Sequence, residues 1–116
     1  MNGRGNMKIT QSKVGDFTAV SIEGEVDLNS SPQLRKAFSD LIDKGMSKII
    51  INFSKVDYID SSGLATLIEM RQRMSKDQGR ICLVEMSDKI KSLFEITKLD
   101  KLFTIYRTQQ EVVASA

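Results

Sequence analysis

A chain of 116 residues, 41% hydrophobic and 28% charged, has the length and composition of one globular domain that can bury a core without metal or disulfide support. Its net charge of +2 comes from 17 basic and 15 acidic residues spread along the sequence, with no basic block and only five Phe and two Tyr, a balance that does not suggest nucleic-acid binding. Without histidine, neither a Ser-His-Asp nor a Cys-His arrangement nor a His-built metal site can be assembled, and one cysteine cannot form an internal disulfide.

Met1 to Asn6 is polar and aperiodic, so residues 1–6 are expected to be a disordered leader to a single domain over 7–116. No signal peptide or apolar run of spanning length is present, which predicts a soluble, cytoplasmic protein without a membrane partner. Met7, Ile9 and Gln11 alternate with Lys8, Thr10 and Ser12 as in a half-exposed strand. Gly15-Asp16 predicts a tight turn, after which Thr18, Val20 and Ile22 continue on an inward face opposite Ala19, Ser21 and Glu23. These two runs make an opening hairpin. Gly24 to Asn29 reads as a loop. Ser30 and Gln33 then stand at capping-box spacing, with Ser31 as an alternative cap and Pro32 in the first turn, where a missing N–H is harmless. Leu34, Ala37, Phe38, Leu41 and Ile42 form one apolar helical stripe that Gly45 ends.

Ile49, Ile50, Ile51 and Phe53 form a β-branched, nearly uninterrupted apolar run, which predicts a strand buried on both faces. Between it and the next helix lie Asp57, Asp60, Ser61, Ser62 and Gly63, a cluster of capping residues. The helix runs from about Ser62 to Asp77 with Leu64, Leu67 and Ile68 inward and Met70 and Met74 at the border of the core. After Gln78-Gly79, Arg80 to Glu85 gives a second buried strand, parallel to the first by the crossover rule, in which Cys82 is a small apolar residue. Ser87 or Asp88 caps a short helix carrying Ile90, Leu93 and Phe94. Lys98 to Lys101 turns into a last strand near Leu102 to Tyr106, and Thr108 caps a closing helix with Val112 and Val113. The predicted fold is α/β, a mixed sheet of about five strands with an opening hairpin and helices mainly on one face.

The strand-to-helix junction is the place for chemistry. Free N–H donors and the positive end of the macrodipole make a helix start a place for negative charge. A hydroxyl on Ser61, or on Ser62 beside it, could carry a phosphate of roughly −1.5 to −2 charge, the kind of change a partner protein reads. Asp60 opposes this by repulsion, and plain capping is the competing reading of the same residues. A hydrolase elbow is not indicated, because Ile59 stands where Gly-x-Ser-x-Gly needs its first glycine. Asp57 and Asp60 as oxygen ligands for Mg²⁺ are the weaker alternative. If the hairpin's second strand and the Ile49 strand are parallel, Asp27 approaches the Ser61 loop at the carboxyl edge of the sheet.

The run Val56-Asp57-Tyr58-Ile59-Asp60-Ser61-Ser62-Gly63-Leu64 resembles the signature of bacterial anti-sigma factor antagonists of the STAS domain family, in which Asp-Ser-Ser-Gly-Leu opens a helix. Gly24-Glu25-Val26-Asp27 is similar to that family's second motif, and the likeness extends from about Met7 to about Val113 in the order of elements. The resemblance implies a non-enzymatic regulator. Its unphosphorylated form binds an anti-sigma factor that is also a serine kinase, and so frees the sigma factor. Phosphorylation at Ser61, with Ser62 as the alternative, ends the binding, and a serine phosphatase restores it. Asp27, Asp60, Ser62 and Gly63 are implied in partner contact. The protein would need no cofactor of its own, ATP being used by the kinase. The alternative within the family is a scaffolding module that never carries phosphate. An aspartyl-phosphate receiver fits less well, because the first strand enters a hairpin. The oligomeric state stays open.

Overall fold

The computed structural model describes residues 7–115, so the expected leader at 1–6 lies outside the described residues. The elements run β1 (Met7–Val14), β2 (Phe17–Val26), α1 (Ser31–Asp43), β3 (Lys48–Ile59), α2 (Ser61–Lys76), β4 (Arg80–Val84), α3 (Asp88–Ile96), a 3-10 turn (Leu99–Lys101), β5 (Thr104–Tyr106) and α4 (Gln109–Ser115). They form one five-stranded sheet in the order β1-β2-β3-β4-β5. Only the β1–β2 hairpin is antiparallel; β2, β3, β4 and β5 are mutually parallel. Parallel pairing brings the carboxyl ends of β2 and β3 to one edge.

The uninterrupted isoleucine run has a direct cause. Ile49, Ile51 and Phe53 face the main core with Leu34, Phe38, Leu64, Leu67 and Phe94, while Ile50 faces a second, smaller cluster with Phe17, Ala19, Cys82, Val84 and Val112. The first three helices cover one side. Helix α4 covers part of the other through Val112. Ala19, expected on an outward face, is therefore buried beneath α4. Met70 and Met74 are fully within the main core. Cys82 is buried, and desolvation pushes its thiol pKa up. Gly45 ends α1 with φ +81°, a left-handed conformation that glycine adopts without steric penalty, and its N–H donates to the Ile42 carbonyl.

Three boundaries differ from the sequence reading, all at the carboxyl edge or beyond. β2 continues to Val26, so Gly24, Glu25 and Val26 are strand rather than loop. β3 continues to Ile59, gaining one residue on β2 at each of two register shifts, so Asp57 is an exposed strand residue and not part of a capping loop. These bulges let an alternation break without ending the pairing, which is why hydrophobic period alone stops the strand early. The last strand is only Thr104–Tyr106, because Leu99 to Lys101 winds into the 3-10 turn first.

Candidate functional site

Extension of β2 and β3 leaves a single residue, Asp60, between strand and helix. Its backbone N–H donates to the Val26 carbonyl (3.0 Å), which joins the end of β3 to the end of β2. Its backbone is extended (φ −108°, ψ −172°) and its carboxylate is the N-cap of α2. Oδ1 accepts from the backbone N–H of Ser62 (2.9 Å) and Gly63 (3.2 Å), and from the Ser62 hydroxyl (2.6 Å). The Ser62 hydroxyl is the main cause that holds the Asp60 carboxyl below its usual pKa of 3.8; desolvation, the next largest effect, opposes it, and the amides of Gly63, Ser62 and Leu28 add to the lowering.

This arrangement divides the two serines. Ser61 is exposed, is the first residue of α2, and its hydroxyl makes no hydrogen bond among the described residues. Ser62 is half-buried, with its hydroxyl on Asp60 and its oxygen 3.2 Å from the oxygen of Ser31. Gly63 is buried. A Cβ there would lie 2.7 Å from both Ile59 Cγ1 and Val26 Cγ1 and 3.1 Å from the Val26 carbonyl, so the helix start sits on the strand ends as only glycine permits. Gly63, expected in partner contact, is the point where the start of α2 packs most closely on the ends of β2 and β3.

Asp27 does approach the junction, through its backbone. Its carbonyl accepts from the Ser31 hydroxyl (2.6 Å), and Ser31 in turn touches Ser62. The Asp27 carboxylate closes its own turn, accepting from the N–H of Asn29 (2.9 Å) and Ser30 (3.1 Å). The Ser30–Gln33 capping box does not form. The Ser30 hydroxyl is drawn backwards, donating to the Glu25 carbonyl (2.8 Å) and accepting from the Asp27 N–H (2.9 Å).

Two residues of this site carry no motif. Ser31, read only as an alternative cap, is 3% exposed and links the turn at Asp27 to α2. Leu28 is 75% exposed at the tip of the turn. The only sequence signal for Leu28 is an apolar residue in a polar turn, out of phase with the α1 stripe. Glu25, Asp27, Asp57 and Asp60 lie at this edge with no Lys or Arg in residues 24–34 or 56–63, so it is acidic on a chain of positive net charge, whereas Glu69, farther along α2, is paired with Arg35 at 3.2 Å. The larger clefts, about 530 and 210 Å³, are lined by other residues. No group of three acidic, Cys or His side chains among the described residues is placed to hold a metal ion, and no described helix is long and apolar enough to cross a membrane.

The STAS domain family model matches residues 8–112. The chain belongs to the STAS domain family. The family motifs Gly24 to Asp27 and Asp60 to Leu64 therefore lie side by side at the carboxyl edge. The anti-sigma-B factor antagonist of Staphylococcus aureus is 28% identical over 100 residues, covering 86% of this chain and 93% of the relative. TM1081 of Thermotoga maritima superposes with a TM-score of 0.87 at 25% identity, covering 92% of each chain. The Bacillus anti-sigma factor antagonist SpoIIAA shares this STAS fold in its phosphorylated form (TM-score 0.71, 23% identity, covering 93% of this chain and 98% of that one).

Proposed function

We propose that this protein is an anti-sigma factor antagonist working in the cytoplasm, whose binding to an anti-sigma factor is switched by phosphorylation of Ser61. Several observations support the reading: membership of the STAS family, a named antagonist among its relatives, and above all the state of the Ser61 hydroxyl. It is exposed and uncommitted at the head of a central helix whose capping is already done by Asp60.

The partner in this reading is an anti-sigma factor with serine kinase activity. Its surface must match an acidic edge carrying one protruding leucine, which calls for basic groups around an apolar pocket. In the kinase step the Ser61 oxygen attacks the γ-phosphorus of ATP. An O–P bond forms as the bond to the bridging oxygen breaks, ADP leaves with that electron pair, and the hydroxyl proton passes to a base on the kinase or to water. The product phosphate is then held against the phosphates of the nucleotide, so the contact that delivered the hydroxyl becomes repulsive. Loss of about 3 kcal/mol at an interface centre lowers affinity roughly a hundredfold, since about 1.4 kcal/mol is tenfold. A serine phosphatase resets the protein. It needs no cofactor of its own.

The experiment is to incubate the protein with the kinase and ATP, map the modified residue by mass spectrometry, and titrate each form against the kinase. Wild type and Ser61→Ala are expected to bind equally, and Ser61→Asp and the phosphorylated form at least tenfold more weakly. Equal affinities for all four forms sink the switch. A protein that gains no phosphate in cells under any growth condition is instead a scaffolding module.

A further inference from the structure

Phosphoryl transfer to a serine needs an open approach to the hydroxyl oxygen on the side opposite its leaving proton, with the reacting atoms about 3–3.5 Å apart and aligned. Ser61 and Ser62 are adjacent in sequence and both stand in the first turn of α2, about 100° apart around the helix, so each offers a hydroxyl at the same end of it. We propose that Ser31 is a specificity-determining residue, occupying the approach to the Ser62 oxygen so that the two-serine motif presents a single acceptor. This rests on the reading of Ser61 as the modified residue and adds how the choice between neighbours is made.

A hydroxyl has one proton to give. Ser62 gives its proton to Asp60 Oδ1 at 2.6 Å, and Ser31 gives its own to the Asp27 carbonyl at 2.6 Å. Ser31 Oγ, whose shorter bond is to Asp27, also lies 3.2 Å from Ser62 Oγ, within reach of a shared hydrogen bond, so Ser31, which is 3% exposed and fixed by the first turn of α1, covers one side of the half-buried Ser62 oxygen. On the proton side, Asp60 is the base-like partner that an attacking serine uses. Ser62 is therefore chemically the better prepared of the two, and it is excluded by position. Ser61, which lacks such a carboxylate, depends on the base of its kinase.

The test uses four variants of the whole chain expressed in its own cells: wild type, Ser61→Ala, Ser31→Ala, and Ser61→Ala with Ser31→Ala. Phosphate is located by peptide fragmentation, and folding is verified by thermal unfolding. Wild type is expected to carry phosphate on Ser61 alone and Ser61→Ala to carry none. The double variant should carry it on Ser62, at tenfold or more above the Ser61→Ala background. Phosphate on Ser62 in Ser61→Ala at wild-type levels overturns the proposal, as does a folded double variant that stays unmodified.

A second measurement needs no kinase. The Ser62 hydroxyl proton is expected as a slowly exchanging NMR signal in wild type that exchanges at least tenfold faster in Ser31→Ala. Equal exchange in the two proteins also overturns the proposal. Absence of phosphate from wild-type Ser61 refutes the switch itself, and the proton measurement then decides the shielding of Ser62 separately.

Discussion

Replacing Gly63 by alanine adds one methyl group where the structure has no room for it. The new Cβ would lie 2.7 Å from Ile59 Cγ1 and 2.7 Å from Val26 Cγ1, well inside ordinary van der Waals contact. Neither neighbour can turn aside, because Val26 and Ile59 are 0% and 4% exposed and are paired across β2 and β3. The third contact, 3.1 Å to the Val26 carbonyl, is to backbone that also accepts the Asp60 N–H. Overpacking of this kind costs about 1–3 kcal/mol, and the better helix propensity of alanine returns at most about 1 kcal/mol. The expected net loss is about 1–2 kcal/mol. With a urea slope of about 1–3 kcal/mol/M, a loss of ~1.5 kcal/mol moves the urea midpoint down by roughly 0.5–1.5 M. Adding Val26→Ala removes one of the clashing methyls, so Gly63→Ala should cost less in that background, a coupling that a double-mutant cycle measures. A Gly63→Ala protein as stable as wild type, or strict additivity with Val26→Ala, would refute the close-approach reasoning.

Other perturbations follow from the same site and core. The Asp60 carboxyl is held below its ordinary pKa in the folded state, so its contribution to stability is present above about pH 3.8 and is lost as pH falls through the lower folded value. Asp60→Asn, which keeps a capping side chain, should flatten acid unfolding in that window. Ser62→Ala removes the largest cause of the shift and should raise the Asp60 pKa, read by carboxyl chemical shifts against pH. Val112→Ala uncovers the second cluster, with an expected loss of about 1.5–2.5 kcal/mol in urea unfolding and faster alkylation of Cys82, now shielded by α4. Leu28→Ser should leave the melting temperature unchanged, because Leu28 is already in solvent, and should weaken binding to the kinase at least tenfold in titration.

Much of this molecule is written in local patterns, and its exceptions have physical causes. The α1 stripe, the isoleucine run of β3 and the glycine stop at Gly45 were legible because period, composition and turn chemistry agree there. The extension of β3 to Ile59 was not, since bulges place polar residues where alternation demands apolar ones. The Ser30 capping box failed because the Glu25 carbonyl and Asp27 N–H, brought near by the turn, compete for the same hydroxyl. At the site, the family motif marked Ser61, Asp60 and Asp27 but not how they are arranged. That depends on Ser31, which lies 31 positions from Ser62 in sequence and touches it only once β2 and β3 pair. Leu28 could be seen as an apolar residue without a periodic partner, yet its exposure depends on the fold.

A helix start was expected to welcome a phosphate because its N–H groups lack partners. The structure alters that argument. Asp60 already fills the cap, so the Ser62 and Gly63 donors and much of the end charge of the helix are answered before any phosphate arrives. A phosphate at Ser61 therefore gains little from the helix and meets Asp60 as a like charge, on an edge with no Lys or Arg in its own segments. Its field is left to act on whatever is docked there. Had Ser61 itself been the cap, its hydroxyl would be consumed by the helix amides and its modification would unravel the first turn. With the carboxylate one residue earlier, the fold can keep its shape through the change, and the difference between the two forms is expressed at the surface. That division between a carboxylate that holds the helix and a hydroxyl that is free beside it is what the order Asp60-Ser61 achieves, and reversing those two residues should abolish the switch.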